Sequence, residues 1–345
     1  MFAKAAVATS TPPAASSAAK SRRASNSLSF NRPAHSRVGG FTLMETLVVI
    51  GIFIVLVSIF VPYLLSVREK NRRVWCADNL RQIRSALQNY ARDNNWEFPR
   101  VRYDAQNNPN GYVAFSGPDA DDPFAPDSPV QPNDVTASLW LLVRIGYVAD
   151  TRAFVCPSSG DSRDWITSAH GQPVPPNRRG NFRRPSNLSY SYASPFSSAP
   201  GYRLKPDWLR AEFALLADKN PGSPAAQVPY NAPPAELARA NSPNHGHAGQ
   251  NVVYGDGSIF FQRTPYCGVG YDQPPGDNIY TARAQTPSTQ PTTIPFRVTG
   301  FVGPGYAPVA LDDSYLVPTV QDAPPPPVAQ PPATTQPPAT QPATQ

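Results

Sequence analysis

Residues 40–67 read GFTLMETLVVIGIFIVLVSIFVPYLLSV, and the rest of the chain is organised around this stretch. From Thr46 to Val67 there are 22 residues without one charge. As a helix rising 1.5 Å per residue they cover about 33 Å, enough to cross a hydrocarbon core of roughly 30 Å. One carboxylate, Glu45, sits inside the apolar face four residues after Phe41, and nothing local is expected to pair with it. An unpaired charge in lipid is costly and needs a partner from elsewhere. Pro62 lies inside the run, where it removes one backbone hydrogen bond and predicts a bend or a melted turn.

The segment ahead of this stretch is of a different kind. Residues 1–40 contain Lys4, Lys20, Arg22, Arg23, Arg32 and Arg37 and no acidic residue. They therefore hold six of the chain's 30 basic residues and none of its 24 acidic ones, and the remainder is balanced at 24 against 24. The net charge of +6 belongs entirely to this leader. A basic chain would ordinarily suggest nucleic acid as a partner, but the rest of the molecule has no such excess, and no nucleic-acid partner is expected. Ser, Ala and Pro dominate residues 5–30 without apolar periodicity, which predicts disorder. A secretory signal peptide would place its apolar core before the cleavage site, whereas here the apolar run follows Gly39-Gly40. Charge counting leaves the orientation of a span open, because Arg68, Lys70, Arg72 and Arg73 follow it as closely as Arg23, Arg32 and Arg37 precede it.

On the other side the helix is expected to continue over 68–98. Cys76, Leu80, Ile83, Leu87 and Tyr90 step by four, three, four and three, one apolar face at helical spacing. Arg72, Asp78, Arg81 and Arg92 lie opposite, and Asn94-Asn95 with Pro99 ends the pattern. The basic cluster 68–73 falls where headgroup phosphates would lie. Residues 100–135 read as an irregular loop. A short helix then follows, with Asp134 as N-cap and Gly146 as its stop. Phe154–Pro157 reads as a short buried piece and 157–186 as polar loop. Leu188–Tyr192 alternates as a strand and Phe213–Ala217 looks like a second. Val252–Tyr254, Gly255-Asp256-Gly257 and Ser258–Phe261 form a β-hairpin with an Asp-Gly turn. From about 284 the chain is rich in Pro, Thr and Gln, apart from a more apolar patch at 298–317, and ends in a polyproline-type or disordered tail.

Gly40-Phe41-Thr42-Leu43-Met44-Glu45 followed at once by a spanning run resembles the type IV prepilin signal of pilins and type II secretion pseudopilins. The fragments Cys76-x-x-Asn79-Leu80-Arg81-Gln82, Gly146-Tyr147, Cys156-Pro157-Ser158, Leu216-Ala217-Asp218-Lys219, Asp277-Asn278-Ile279-Tyr280 and Asn244-His245 leading to Gly249-Gln250-Asn251-Val252 and Asp256-Gly257 are similar to those of bacterial pilin-like proteins. The resemblance implies an α+β fold: a long N-terminal helix, its first half in the membrane, on a small antiparallel sheet. The implied divisions are a cleaved leader (1–40), a spanning half-helix (41–67), an amphipathic half-helix (68–98), a globular domain with long loops (99–283) and an extension (284–345). It further implies cleavage after Gly40, methylation of the Phe41 amine, and assembly through Glu45 and Pro62. The implied partners are a prepilin peptidase, other pilin or pseudopilin subunits, an assembly platform and the lipid bilayer. The leader would lie in the cytoplasm, the span in the bacterial inner membrane, and the domain in the periplasm or an extracellular filament. A membrane-tethered binding protein exported by the same route is the alternative, favoured by the long loops.

No enzymatic role and no cofactor are expected. His245 and His247 at i,i+2 beside Gly are weak evidence for zinc, and no third ligand follows from spacing. Some secretion pseudopilins hold Ca²⁺ near their C-terminal strands, which makes Asp218, Asp256 and Asp277, with Asp272, candidate oxygen ligands, although no dense carboxylate loop is present. The blander expectation is that Asp256-Gly257 makes the turn and the His side chains bond loop backbone. A Cys156–His245 hydrolase pair lacks a nucleophile motif. Three cysteines allow one intrachain bridge. Spacing does not decide the pairing, and Cys156–Cys267 is favoured, with Cys76 on the helical stripe read as a buried thiol.

Overall fold

The computed structural model describes residues 40–104, 106, 111–197, 199, 201–272, 276–282, 308 and 312–317. The leader up to residue 39 and the Pro-rich tail beyond 317 lie outside the described residues, as does most of the apolar patch at 298–317. The chain divides into two compact units, one ending at Ser58 and the other beginning at Ile59.

The dominant element is α1, Leu43–Asp93, 51 residues. Its start is a reciprocal cap. Thr42 Oγ1 accepts the Glu45 amide at 3.2 Å, while Glu45 Oε2 accepts from the Thr42 amide at 2.8 Å and from the Thr42 hydroxyl at 2.9 Å. Glu45 thus has a local partner after all: the Thr-x-x-Glu spacing closes a capping box. Glu45 forms no ion pair among the described residues, and Oε1 accepts no hydrogen bond there. The helix runs without interruption through Pro62, so of the bend or melted turn expected there the melted turn is absent. In the first unit every described residue is exposed, and the apolar window of α1 has none of its residues buried. This is the one helix among the described residues long and apolar enough to cross a membrane.

In the second unit α1 changes character. Cys76, Leu80, Ile83, Leu87 and Tyr90 are all buried, as the four-three spacing requires, and Arg72, Asp78, Arg81 and Arg92 are exposed. The helix ends as Asn95 (φ 53°) and Trp96 (φ 57°) take left-handed conformations. α2 spans Val135–Ile145, capped by Asp134, which accepts from the Ala137 amide, and closed by left-handed Gly146 at φ 95°. Two short helices follow, α3 (Ser223–Gln227) and α4 (Pro234–Ala240).

Four strands, β1 (Tyr190–Tyr192), β2 (Ala214–Asp218), β3 (Gln250–Tyr254) and β4 (Ile259–Gln262), form one antiparallel sheet in chain order. Tyr190 pairs with Asp218, Ala217 with Val252 and Val252 with Phe260. Together with α1 this is the α+β arrangement expected. The β3–β4 turn is the predicted one: Gly255-Asp256-Gly257, with Gly257 at φ 89° and its amide bonded to the Tyr254 carbonyl at 2.9 Å. A Cβ on Gly257 would collide with the Arg84 guanidinium.

β1, β2 and β3 are buried along their whole length, so both faces of the sheet are covered there, while β4 is partly open, with Phe260 exposed. Part of that cover comes from the C-terminal extension. Leu316 forms an antiparallel bridge with Ala193, its amide donates to the Ile279 carbonyl, and Tyr315, Leu316 and Val317 are buried. The stretch 157–186, which reads as polar loop, also contains a buried ion pair. Arg179 and Asp164, each 1% exposed, pair at 2.8 Å, and Arg179 also donates to the carbonyls of Pro118, Thr167 and Asn181. Trp140 closes over the guanidinium at 5.0 Å. A buried ion pair persists only when its remaining hydrogen bonds are satisfied in this way.

Candidate functional site

Helix periodicity places Glu69, Arg73 and Cys76 on one side of α1, since residues three, four and seven apart share a face. Asn79 follows one turn later and donates to the Val155 carbonyl at 2.9 Å, tying the helix to the segment that carries Cys156. β2 ends at Asp218, and its neighbour β3 begins with Gln250 and Asn251. Antiparallel register then sets the Asn251 amide 2.7 Å from Asp218 Oδ2. Between α4 and β3 the chain makes a left-handed excursion through His245 (φ 58°), Gly246 (φ 62°) and His247 (φ 61°). Such backbone costs on the order of 1–3 kcal/mol for a non-glycine residue and persists where the surroundings demand it.

These four elements meet at one buried cluster. Cys76 and Cys156 form a disulfide, with Cα atoms 5.3 Å apart, and Cys267 is a free buried thiol. The favoured Cys156–Cys267 pair is therefore not made, and Cys76 is not a free thiol. Sequence separations of 80 and 111 hold no information about which sulfurs the fold brings together. Beside the sulfurs lie Asp218 and His245. His245 Nε2 is 3.4 Å from Asp218 Oδ2 and 3.6 Å from Cys156 Sγ, and Cys76 Sγ is 3.5 Å from Asp218 Oδ1. One ligand atom from each of Cys76, Cys156, Asp218 and His245 can be chosen so that all lie within 4.8 Å of one another, and all four residues are buried.

A ring of donors and acceptors surrounds the four. His245 Nδ1 meets Glu69 Oε1 at 2.7 Å, and Glu69 Oε2 accepts from the Ser158 hydroxyl at 2.9 Å. The Tyr190 hydroxyl is 3.3 Å from Cys76 Sγ, and the Ser158 amide donates to Cys156 Sγ at 3.4 Å. Asn244 Nδ2 donates to Asp218 Oδ1 at 3.1 Å. Arg73 pairs with Glu69 at 3.6 Å and covers the Phe261 ring at 4.2 Å, so this member of the basic cluster faces the protein rather than headgroups. Burial alone would lower the His245 pKa, but the hydrogen bond and charge of Asp218, followed by those of Glu69, outweigh it and raise it. Burial would raise the Glu69 pKa, yet the hydrogen bonds from His245 and Ser158 and the charges of His245 and Arg73 hold it below the usual carboxylate range. The two carboxylates that flank the imidazole thus favour its protonated form.

The candidate residues named from sequence separate into three groups. Cys156, His245 and Asp218 come together; His247 does not, and bonds the Asn241 backbone carbonyl at 3.1 Å. Asp218, Asp256 and Asp277 do not converge. Asp256 is exposed in the hairpin turn, accepting from the Ser258 amide at 2.8 Å, whereas buried Asp277 accepts from the Ser314 amide at 3.1 Å. Asp272 is exposed. Gly40, Phe41, Glu45 and Pro62 lie at and along the exposed start of α1. Sequence reasoning misses Glu69, whose one distinguishing mark is to be the sole acid within the basic run 68–73. As a hydrolase dyad, Cys156 and His245 have the contact but not the access, because both sulfurs are fully buried and bonded to each other. Compared with known proteins, the chain matches no family model, no curated protein and no solved structure.

Proposed function

We propose that this protein is a pilin-like or pseudopilin structural subunit, cut between Gly40 and Phe41, methylated on the new amine, and assembled through α1 into a secretion-type pseudopilus or type IV pilus. The observation that carries this reading is the junction Gly40-Phe41-Thr42-Leu43-Met44-Glu45 at the head of a helix whose apolar window has no buried residue. Such a surface needs lipid or other helices around it. In the capping box Oε2 of Glu45 is occupied by Thr42 while Oε1 remains available to receive the Phe41 amine of a neighbouring subunit. That pairing would satisfy the second carboxylate oxygen and the charge only in the polymer. The peptidase, sister subunits, an assembly platform and the inner membrane are the partners of this reading. Glu45→Ala is expected to leave cleavage intact and to deplete the protein from filaments; a processed variant that enters filaments at the wild-type level would overturn the assembly role.

A second reading, a membrane-tethered exported binding protein, rests on a specific feature of the long loops. Trp165 is 68% exposed, the Arg163 guanidinium lies 3.7 Å over its ring, and both border a polar cavity of about 280 Å³ with Arg183, Arg184 and Asn187. An exposed aromatic face beside fixed donors suits a sugar or an anion. Glycan-array binding lost in Trp165→Ala would favour this reading.

A further inference from the structure

The cluster at Cys76, Cys156, Asp218 and His245 is more than a disulfide needs. A disulfide is complete without polar neighbours, yet here a buried carboxylate and a buried imidazole converge on the same two sulfurs. We infer that, with Cys76 and Cys156 reduced, these four residues form a closed tetrahedral site for a thiolate-binding divalent metal ion, zinc by preference.

Bond lengths of about 2.3 Å to sulfur and about 2.0–2.1 Å to nitrogen or oxygen give tetrahedral edges of roughly 3.5 Å between sulfur and nitrogen and roughly 3.3 Å between nitrogen and oxygen. The structure has 3.6 Å for Cys156 Sγ to His245 Nε2, 3.4 Å for His245 Nε2 to Asp218 Oδ2, and 3.5 Å for Cys76 Sγ to the other Asp218 oxygen, Oδ1; with one ligand atom from each residue all four lie within 4.8 Å of one another, and binding through one oxygen draws the set together. Two thiolates, one imidazole and one carboxylate are a donor set that suits zinc and disfavours magnesium or calcium.

The surroundings match what a metal site requires beyond its ligands. Glu69 on His245 Nδ1 is the carboxylate–histidine arrangement that orients Nε2 toward a metal. Ser158 N–H points at Cys156 Sγ, Tyr190 O–H lies at Cys76 Sγ, and the Asn251 and Asn244 donors hold the Asp218 oxygens. The left-handed backbone of His245 has a purpose on this reading, since it aims the ring into the cluster. Four protein ligands in a buried setting leave no open coordination position, so the role is structural: the ion clamps α1 to the end of β2 and to the segment at Cys156. Binding converts two S–H groups to thiolates and takes His245 with a free Nε2 lone pair, and the displaced protons go to solvent; no electron is transferred. The disulfide and the metal are alternative occupants of the same two sulfurs: a dithiol reductant, itself oxidised to its disulfide, gives Cys76 and Cys156 two electrons and two protons, and the metal then displaces the thiol protons. This inference is independent of the pilin-like reading.

The test uses the full chain, purified in detergent, fully reduced and then titrated anaerobically with Co²⁺ and with Zn²⁺. The expected result is cobalt–thiolate charge-transfer absorption that saturates at one equivalent and is bleached by Zn²⁺, with no such signal from the oxidised chain. Glu69→Gln, which leaves all four ligands in place, is expected to weaken Zn²⁺ binding by about 10–100-fold. His245→Gln should weaken it at least as much. If reduction unfolds the chain, Zn²⁺ added alone should restore its circular dichroism. A folded reduced chain without cobalt–thiolate absorption, an affinity unchanged in both variants, or a reduced chain that stays unfolded with Zn²⁺ present would each overturn the site.

Discussion

The two ends of α1 are one continuous helix in two different environments. From Leu43 to Ser58 its large apolar side chains are all exposed, whereas from Cys76 to Ala91 the apolar side chains recur every three or four residues and are all buried. The backbone hydrogen-bonding pattern is the same; the difference is what the side chains have to meet. The first segment is apolar all round, the composition of a helix whose solvent is lipid or other helices. The second is amphipathic, and its stripe is matched to the sheet and to the segment around Cys156. Helical propensity alone therefore says nothing about which half belongs to the folded body. The circumference of the apolar surface does.

The largest expected contrast comes from the same substitution in the two halves. Leu80→Ala removes a fully buried side chain and should cost about 2–5 kcal/mol of unfolding free energy. Leu56→Ala, 60% exposed in the wild type, should leave the denaturation midpoint unchanged. Equal losses at both positions would break the distinction. Next is insertion: Ile54→Lys should weaken membrane integration by about 2.5–3.5 kcal/mol, read as release on alkaline extraction, while Arg81→Ala on the polar face should have no effect.

Inside the folded body, pH distinguishes the buried caps from the exposed ones. Burial pushes the Asp134 carboxyl up to about 6, against the opposing hydrogen bonds from the Ala137 amide and from Ser116 and Thr136. The folded chain thus holds this proton more tightly than the unfolded chain. Its contribution to stability is complete below about pH 4 and is lost as pH rises through about 6, at most about 3 kcal/mol. Asp134→Asn keeps a capping oxygen and should flatten that portion of the stability–pH profile; parallel profiles for the two proteins would contradict it. The smallest effect is expected at the exposed Asp78–Arg81 pair, where Arg81→Ala should change stability by under about 1 kcal/mol.

Much of this contrast is legible in the sequence because it depends on local period. The stripe from Cys76 to Tyr90, the Asp134 and Gly146 caps and the Asp256-Gly257 turn each involve residues a few positions apart, where chain geometry leaves little choice. The cluster is another matter. Cys76, Asn79, Cys156, Asp218, His245 and Asn251 each stand in a recognisable fragment, but their convergence depends on contacts up to 178 residues apart, including Asn251 to the Arg73 carbonyl. No spacing rule carries that information. Glu69 is hidden for the same reason: its partner His245 lies 176 residues away. The Arg179–Asp164 pair is hidden by its setting, because a charged residue in a Pro- and Gly-rich run is normally solvated. Leu316 is hidden in an extension whose composition gives no sign of a bridge to Ala193.

Entry into an assembly by the prepilin route, as proposed, is tested most directly by intact mass with N-terminal sequencing of the protein from bacterial membranes that contain a competent prepilin peptidase. The account predicts a chain beginning at N-methylated Phe41. A chain still beginning at Met1 under those conditions would contradict it and leave α1 as an anchor alone.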